Sequence, residues 1–380
     1  MKITHIFWSL GFGGIETMLV NIANAQIKEK AQVSIIIINK FCEETLIKSL
    51  DKKISLYILG RKNGSIDFRF IIKLNRLLKQ IQPDVIHLHR SDIALILSSK
   101  QLPKTCVTLH ALPNGEINSP SILKQLWNKI LRKSKPHSNV EYINHIPYIF
   151  SISKSVKEEL KKQYNIESTV IYNGIETKQF NIKETNTYNT PLRIVMVSRL
   201  EHDKKGQDLL IKAVSKLQGK VTVDFIGTGS SLEYLKQLVH QLHCEESVKF
   251  LGKQNQRYIS SHLADYDLFV QPSRWEGFGL TVAEALAAQI PVITSSGQGP
   301  AEVICENKYG WIFENGNVDD LTNKIEYILN HYHEAIEKAK LAKKYVYQNF
   351  DIQSTANAYL NAYKKIIKNS CHVESTLSKI

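Results

Sequence analysis

Residues 267–286 read DLFVQPSRWEGFGLTVAEAL. The apolar run Leu268-Phe269-Val270 is closed by Pro272, which cannot continue a ladder of strand hydrogen bonds. Glycines follow at 277 and 279, and a helical pattern begins near Leu280 or Thr281. A strand that feeds a helix through a glycine loop is one βα unit, and in open α/β sheets ligands sit beyond the carboxyl ends of the strands. Glu276 lies in this loop and Glu284 about one turn into the helix, with seven residues between them. Free amides at the helix start favour an anion, and a carboxylate can accept hydrogen bonds from neighbouring sugar hydroxyls. Two hydroxyl acceptors flanking an anion site suit a nucleotide sugar. Either glutamate alone would be a surface residue beside a turn.

The same βα grammar extends in both directions. KITHIFW, VSIIIIN, LYILG, DVIHLH, TCVTLHAL, YIFSIS and STVIYNG are apolar runs without alternation, as in strands covered on both faces. Helical patterns run from about Ile15 to Gln26, around Phe68 to Gln80, and through KSVKEELKKQY. Residues 175–190 turn polar and aperiodic, which marks a linker. The pattern then restarts with LRIVMVSRL, VTVDFIGTG, VKFLG, DLFVQPS, PVITSS and GWIFE, with helices from about Gly206, Ser231, Tyr258 and Thr281 between them. Two restarts imply two Rossmann-like domains, over 1–175 and 191–350, and a chain of 380 residues is long enough for both. STANAYLNAYKKIIKN is a last helix within 351–370, expected to pack back toward the first domain, with a loose tail beyond Ser370. Two such domains would face each other across a cleft.

Composition narrows the function. Five scattered cysteines with no C-x-x-C pair argue against a disulfide framework or a zinc ribbon and suit a reducing compartment. No apolar run approaches the ~20 residues that span a bilayer, and the N-terminal run is too short for a signal peptide, so a cytoplasmic location is expected. A net charge of +13 calls for anionic partners. Residues 119–138, SPSILKQLWNKILRKSKPHS, combine basic residues with Leu123, Leu126, Trp127, Ile130 and Leu131 at helical spacing. That is a basic amphipathic helix, suited either to an anionic membrane surface or to docking on the core. No zinc-finger spacing or base-stacking signature supports nucleic acid.

Two further strand-end loops carry candidate chemistry. LGFGGIETM, with Gly11, Gly13 and Gly14, lets backbone approach a ligand at a helix N-terminus, though Glu16 breaks the G-x-G-x-x-G spacing. SRLEHDKKG offers Arg199, Lys204 and Lys205 ahead of another helix, a candidate diphosphate clamp or a solvated basic loop. His87 and His89 form an H-x-H for which the sequence shows no third metal ligand.

The stretch EGFGLTVAE resembles the E-x7-E motif of retaining nucleotide-sugar glycosyltransferases of family 4 (glycosyl transferases group 1), which have the two-domain GT-B fold. GGIE, DVIHLH, VTLHA, IYNGIETKQF, SRLEHDKKG and FIGTGS match the family's motifs in order, nearly end to end. The resemblance implies catalytic roles for Glu276, Arg199, Lys205 and His110. Glu276 would face the donor sugar, Arg199 and Lys205 would neutralise the departing diphosphate, and His110 would lie near the sugar. Lys205 is preferred to Lys204 because the family's lysine directly precedes the glycine. Donor binding would fall to Gly14, Gly277, Phe278, Gly279, Leu280, Thr281 and Glu284, with Glu284 on the ribose and base contacts near Gly252 to Tyr258. Asp265-Tyr266-Asp267 has the D-x-D form of the other glycosyltransferase fold, but in GT-B relatives that site is the start of a strand; no metal and no cofactor are implied. The expected reaction is transfer of a sugar from a nucleoside diphosphate to a glycan or lipid-linked acceptor in envelope polysaccharide assembly. A sugar-nucleotide 2-epimerase of the same fold and a non-enzymatic basic membrane-binding module are the alternatives.

Overall fold

The computed structural model describes residues 1–11, 13–62, 64–110, 143, 145–188 and 190–377. The basic stretch 119–138 lies outside them. The chain divides into two compact units, Met1–Gly174 with Ile352–Ile380, and Ile175–Asp351.

The first unit holds a seven-stranded parallel sheet in the order β3-β2-β1-β4-β5-β6-β7. Its strands are β1 (Lys2–Phe7), β2 (Gln32–Asn39), β3 (Ser55–Arg61), β4 (Val85–Leu88), β5 (Thr105–Leu109), β6 (Tyr148–Ser151) and β7 (Thr169–Val170). Ile35 to Ile38 are wholly buried, so both faces of β2 are covered; at the edge, β3 is half exposed. This is what its run of β-branched residues demands.

The second unit repeats the plan with six parallel strands in the order β10-β9-β8-β11-β12-β13. These are β8 (Leu192–Val197), β9 (Val221–Ile226), β10 (Val248–Gly252), β11 (Leu268–Gln271), β12 (Val292–Ser295) and β13 (Trp311–Phe313). Both sheets follow the Rossmann order, in which the strand sequence reverses beside the first strand. The reversal falls between β1 and β4 in one unit and between β8 and β11 in the other.

The boundaries differ from the expected ones. Residues 175–190 are not a free linker but part of the second unit. Asn181 N donates to Ser260 O at 2.9 Å, Lys183 N donates to Ala288 O at 3.0 Å, and Lys183 Nζ meets Asp267 Oδ1 at 2.9 Å with both side chains buried. Their polarity satisfies partners in that unit rather than water. Asp267 also accepts from Arg193 N at 2.9 Å, which gives the Asp265-Tyr266-Asp267 triplet a structural occupation. The last helix runs Ile352–Leu377, past Ser370, and belongs to the first unit. There Thr355 Oγ1 donates to Tyr172 O at 3.0 Å, and Tyr359 OH lies 2.8 Å from Thr108 Oγ1.

Candidate functional site

The loops after β8 and β11 flank the reversal point of the second sheet, and specific contacts tie them together. Gly206 ends the short helix His202–Lys205 at φ +72, and a Cβ there would stand 2.0 Å from Pro272 O. Only glycine allows the β8 loop to lie this close against the β11 loop. Trp275 N donates to Lys204 O at 3.2 Å. Arg274 grips Asp208 with both guanidinium nitrogens, at 2.7 and 2.8 Å, and also donates to His202 O at 2.7 Å. This bidentate pair holds the two loops as one surface.

On that surface Lys205 Nζ forms an ion pair with Glu276 Oε2, both side chains being about four-fifths buried. Glu276 is fixed from behind: its N–H donates to Gln298 Oε1 at 3.0 Å, and its carbonyl accepts from Gly299 N at 3.0 Å. The adjoining helix, Leu280–Ala287, starts from Gly279 at φ +94 with no side-chain cap. Its first amides, those of Leu280 and Thr281, have no carbonyl acceptor within the helix. Arg199 stands apart: its side chain is 70% exposed and paired with Glu201 at 3.2 Å.

The Leu280–Ala287 helix is buried from Val282 to Ala287, and this draws Glu284 inside with only 7% exposed. Burial pushes its carboxyl up to about 7, while a hydrogen bond from Gln256 Nε2 at 2.8 Å pulls the other way. Phe278 turns its side chain inward. Its ring is buried and packs edge-on against Phe350 at 5.5 Å, so only its backbone is left for a donor. Gly277 is buried with it; a Cβ at Gly299 would stand 2.3 Å from Gly277 O. Sequence reasoning did not find Gln256, Gln298 or the Arg274–Asp208 brace, because each acts across tens of residues with no local spacing to mark it.

The remaining candidates lie in the first unit. Gly14 is exposed at the start of the Gly14–Lys28 helix, which likewise has no side-chain cap. His110 follows β5 and is buried, and burial lowers its imidazole to about 3. The H-x-H pair has the third histidine that the sequence did not reveal: His5, in register with His87 across β1 and β4. One nitrogen from each of His5, His87 and His89 comes within 4.8 Å of the others. All six ring nitrogens nevertheless have hydrogen-bond partners. His87 meets Tyr363 OH at 2.6 Å and Thr108 Oγ1 at 2.7 Å, while His5 and His89 bond to each other at 3.0 Å and outward to Gln26 and His110. The cluster is arranged as a hydrogen-bonded network rather than as lone pairs converging on an ion.

Comparison with known proteins gives this arrangement its class. Residues 177–348 match the family described as Glycosyl transferases group 1, and residues 12–179 match Glycosyltransferase Family 4. An uncharacterized glycosyltransferase of Methanocaldococcus jannaschii is 30% identical over 57% of this chain and 59% of its own length. One from Haemophilus influenzae is 26% identical over 90% of this chain and 94% of its own. The lipopolysaccharide 1,6-galactosyltransferase of Escherichia coli is 24% identical over 92% and 95%. Among solved structures, a Rickettsia africae glycosyltransferase superposes with a TM-score of 0.73 at 22% identity, covering 97% of this chain and 99% of its own. Anabaena HepE, in complex with UDP and glucose, gives 0.74 at 20% identity with both chains fully covered. The protein is a glycosyltransferase, with the two Rossmann-like domains of the GT-B fold. Within that class it belongs to the group 1 glycosyltransferases, whose two family matches together run from residue 12 to residue 348.

Proposed function

We propose that the chain transfers a sugar from a nucleoside diphosphate to a hydroxyl of a glycan or lipid-linked acceptor, with retention of anomeric configuration, in cell-envelope polysaccharide synthesis. The observation that carries this reading is the Lys205–Glu276 pair beside the uncapped start of the Leu280–Ala287 helix, at the reversal point of the second sheet. A diphosphate arriving there meets a lysine and free amides, and Glu276 is left to accept sugar hydroxyls. Arg199, exposed on the same loop, adds a second positive charge as the leaving group departs. Glu284 takes the ribose, and the Gly252 to Tyr258 segment meets the base.

Envelope synthesis is supported by the relative named as a lipopolysaccharide galactosyltransferase, and a nucleoside-diphosphate donor by the neighbour solved with UDP and glucose. Retention rests on the family resemblance. The stretch 119–138 would bring the enzyme to the anionic inner face of the cytoplasmic membrane, where a lipid-linked acceptor lies. Among the described residues no helix is long and apolar enough to cross a membrane. The test is turnover of a panel of nucleoside-diphosphate sugars with envelope lipid acceptors. Lys205→Ala and Glu276→Ala are expected to abolish transfer while melting as cooperatively as the parent. Full activity in either variant contradicts the reading.

A further inference from the structure

His5, His87, His89 and His110 are all buried, and burial lowers all four imidazoles: His5 to about 4, His110 to about 3, and His87 and His89 well below the ordinary value. At neutral pH each ring therefore carries one N–H and one lone pair. The hydrogen bonds then fix which nitrogen holds the proton.

The chain of bonds starts on the Gly14–Lys28 helix. Gln26 Oε1 lies 2.8 Å from His5 Nε2; in this amide orientation, which leaves Gln26 Nε2 buried without a hydrogen bond among the described residues, the carbonyl oxygen accepts and His5 carries its proton on Nε2. His5 Nδ1 must then accept from His89 Nε2, 3.0 Å away. His89 Nδ1 is left as the acceptor facing His110 Nε2 at 3.4 Å, the longest link. His110 is thereby protonated on Nε2, and its lone pair falls on Nδ1. That atom is buried and has no hydrogen-bond partner among the described residues. An unmet buried acceptor is costly and rare, and one at the end of a three-residue relay is an acceptor held ready for a ligand.

We propose that Gln26, His5 and His89 are positioning residues that hold His110 in its Nε2–H tautomer, so that Nδ1 accepts a hydrogen bond from a substrate hydroxyl. The identity of that hydroxyl rests on the glycosyl-transfer reading; the tautomer does not. His87 takes no part, being held between Tyr363 OH and Thr108 Oγ1.

Long-range proton–nitrogen NMR of the full chain labelled with 15N-histidine reads the tautomer without substrate, with His110 assigned by its loss in His110→Gln. The expected pattern is a neutral ring protonated on Nε2, becoming a mixture of tautomers in Gln26→Met. A proton on Nδ1 in the parent, or a pattern indifferent to the Gln26 substitution, overturns the proposal. So does Zn2+ that moves the His5, His87 and His89 signals together, since a metal would displace the relay. Loss of one hydrogen bond corresponds to about a tenfold change in rate. In Gln26→Met, kcat is therefore expected to fall about tenfold with UDP affinity unchanged, and Gln26→Glu, which keeps an acceptor facing His5, is expected to recover most of it. Parental kcat in Gln26→Met contradicts the positioning role. A parent with the stated tautomer but no transfer of any sugar would instead sink the glycosyl-transfer reading.

Discussion

Glu284 is a carboxyl held in a helix that is buried nearly all round, and its pH behaviour follows from that. Between its ordinary value of 4.5 and about 7 the folded chain keeps a proton that the unfolded chain has released. Its contribution to stability therefore falls as pH rises through that window. Glu284→Gln should raise the stability of the ligand-free protein at pH 8 by up to about 3 kcal/mol, readable by denaturant titration. The same substitution should weaken nucleoside-diphosphate binding, because a ribose donating two hydroxyls favours the ionised form. Calorimetry on the parent should accordingly show affinity rising from pH 6 to pH 8; a flat profile contradicts the ribose role. Glu276, Glu284 and Lys205 were singled out in the sequence because each falls in a motif that resembles the family's, the glutamates with seven residues between them and the lysine directly before a glycine. Gln256, Gln298 and His5 were not, since their partners are set by tertiary packing and no periodicity announces it. The exposed or buried state of Glu284 was equally hidden, as it depends on what covers the helix.

The strands were the most legible elements: all thirteen apolar runs became strands, because burial on both faces leaves an unbroken hydrophobic signature. Two long helices, Val318–Asn330 and Tyr332–Asn349, went unread along with short ones such as Glu44–Lys48 and Gly299–Val303, although Asn317 capping Asp320 N and the buried stripe Leu321, Ile325 and Ile328 were available signals. The linker expectation failed for a reason general to polar segments: polarity says that a segment needs hydrogen bonds, not that water supplies them. Lys183 illustrates it. Removing one partner of a buried ion pair strands the other charge, so Lys183→Met should cost about 3–5 kcal/mol in an unfolding titration. The junction of the β8 and β11 loops makes a separate claim. Gly206→Ala forces a side chain at φ +72 toward Pro272 O, and should lower the melting temperature by several degrees and reduce transfer at least tenfold. Unchanged kinetics there would mean that the close approach of the two loops is not needed.

At the scale of the whole molecule the chain builds one Rossmann sheet, then a second, and returns to the first through the Ile352–Leu377 helix. That return places Tyr359 and Tyr363 in the core of the first unit, bonded to Thr108 and His87. Deleting residues 352–380 should therefore unfold the first unit, seen as lost transfer and a lost melting transition, while the second unit still binds UDP. The two-domain plan could be read from the restart of βα units, but the return could not, because a helix pattern does not say which sheet it covers. The central claim is that the Lys205–Glu276 pair beside an open helix start is a diphosphate-sugar site. Its most direct test is isothermal titration of UDP and UDP-glucose, with their guanosine counterparts, into the parent and Lys205→Ala. The account predicts saturable binding of at least one nucleoside-diphosphate pair by the parent and at least tenfold weaker binding by the variant. Equal affinity in both proteins, or no binding of any member of the panel by the parent, would contradict it.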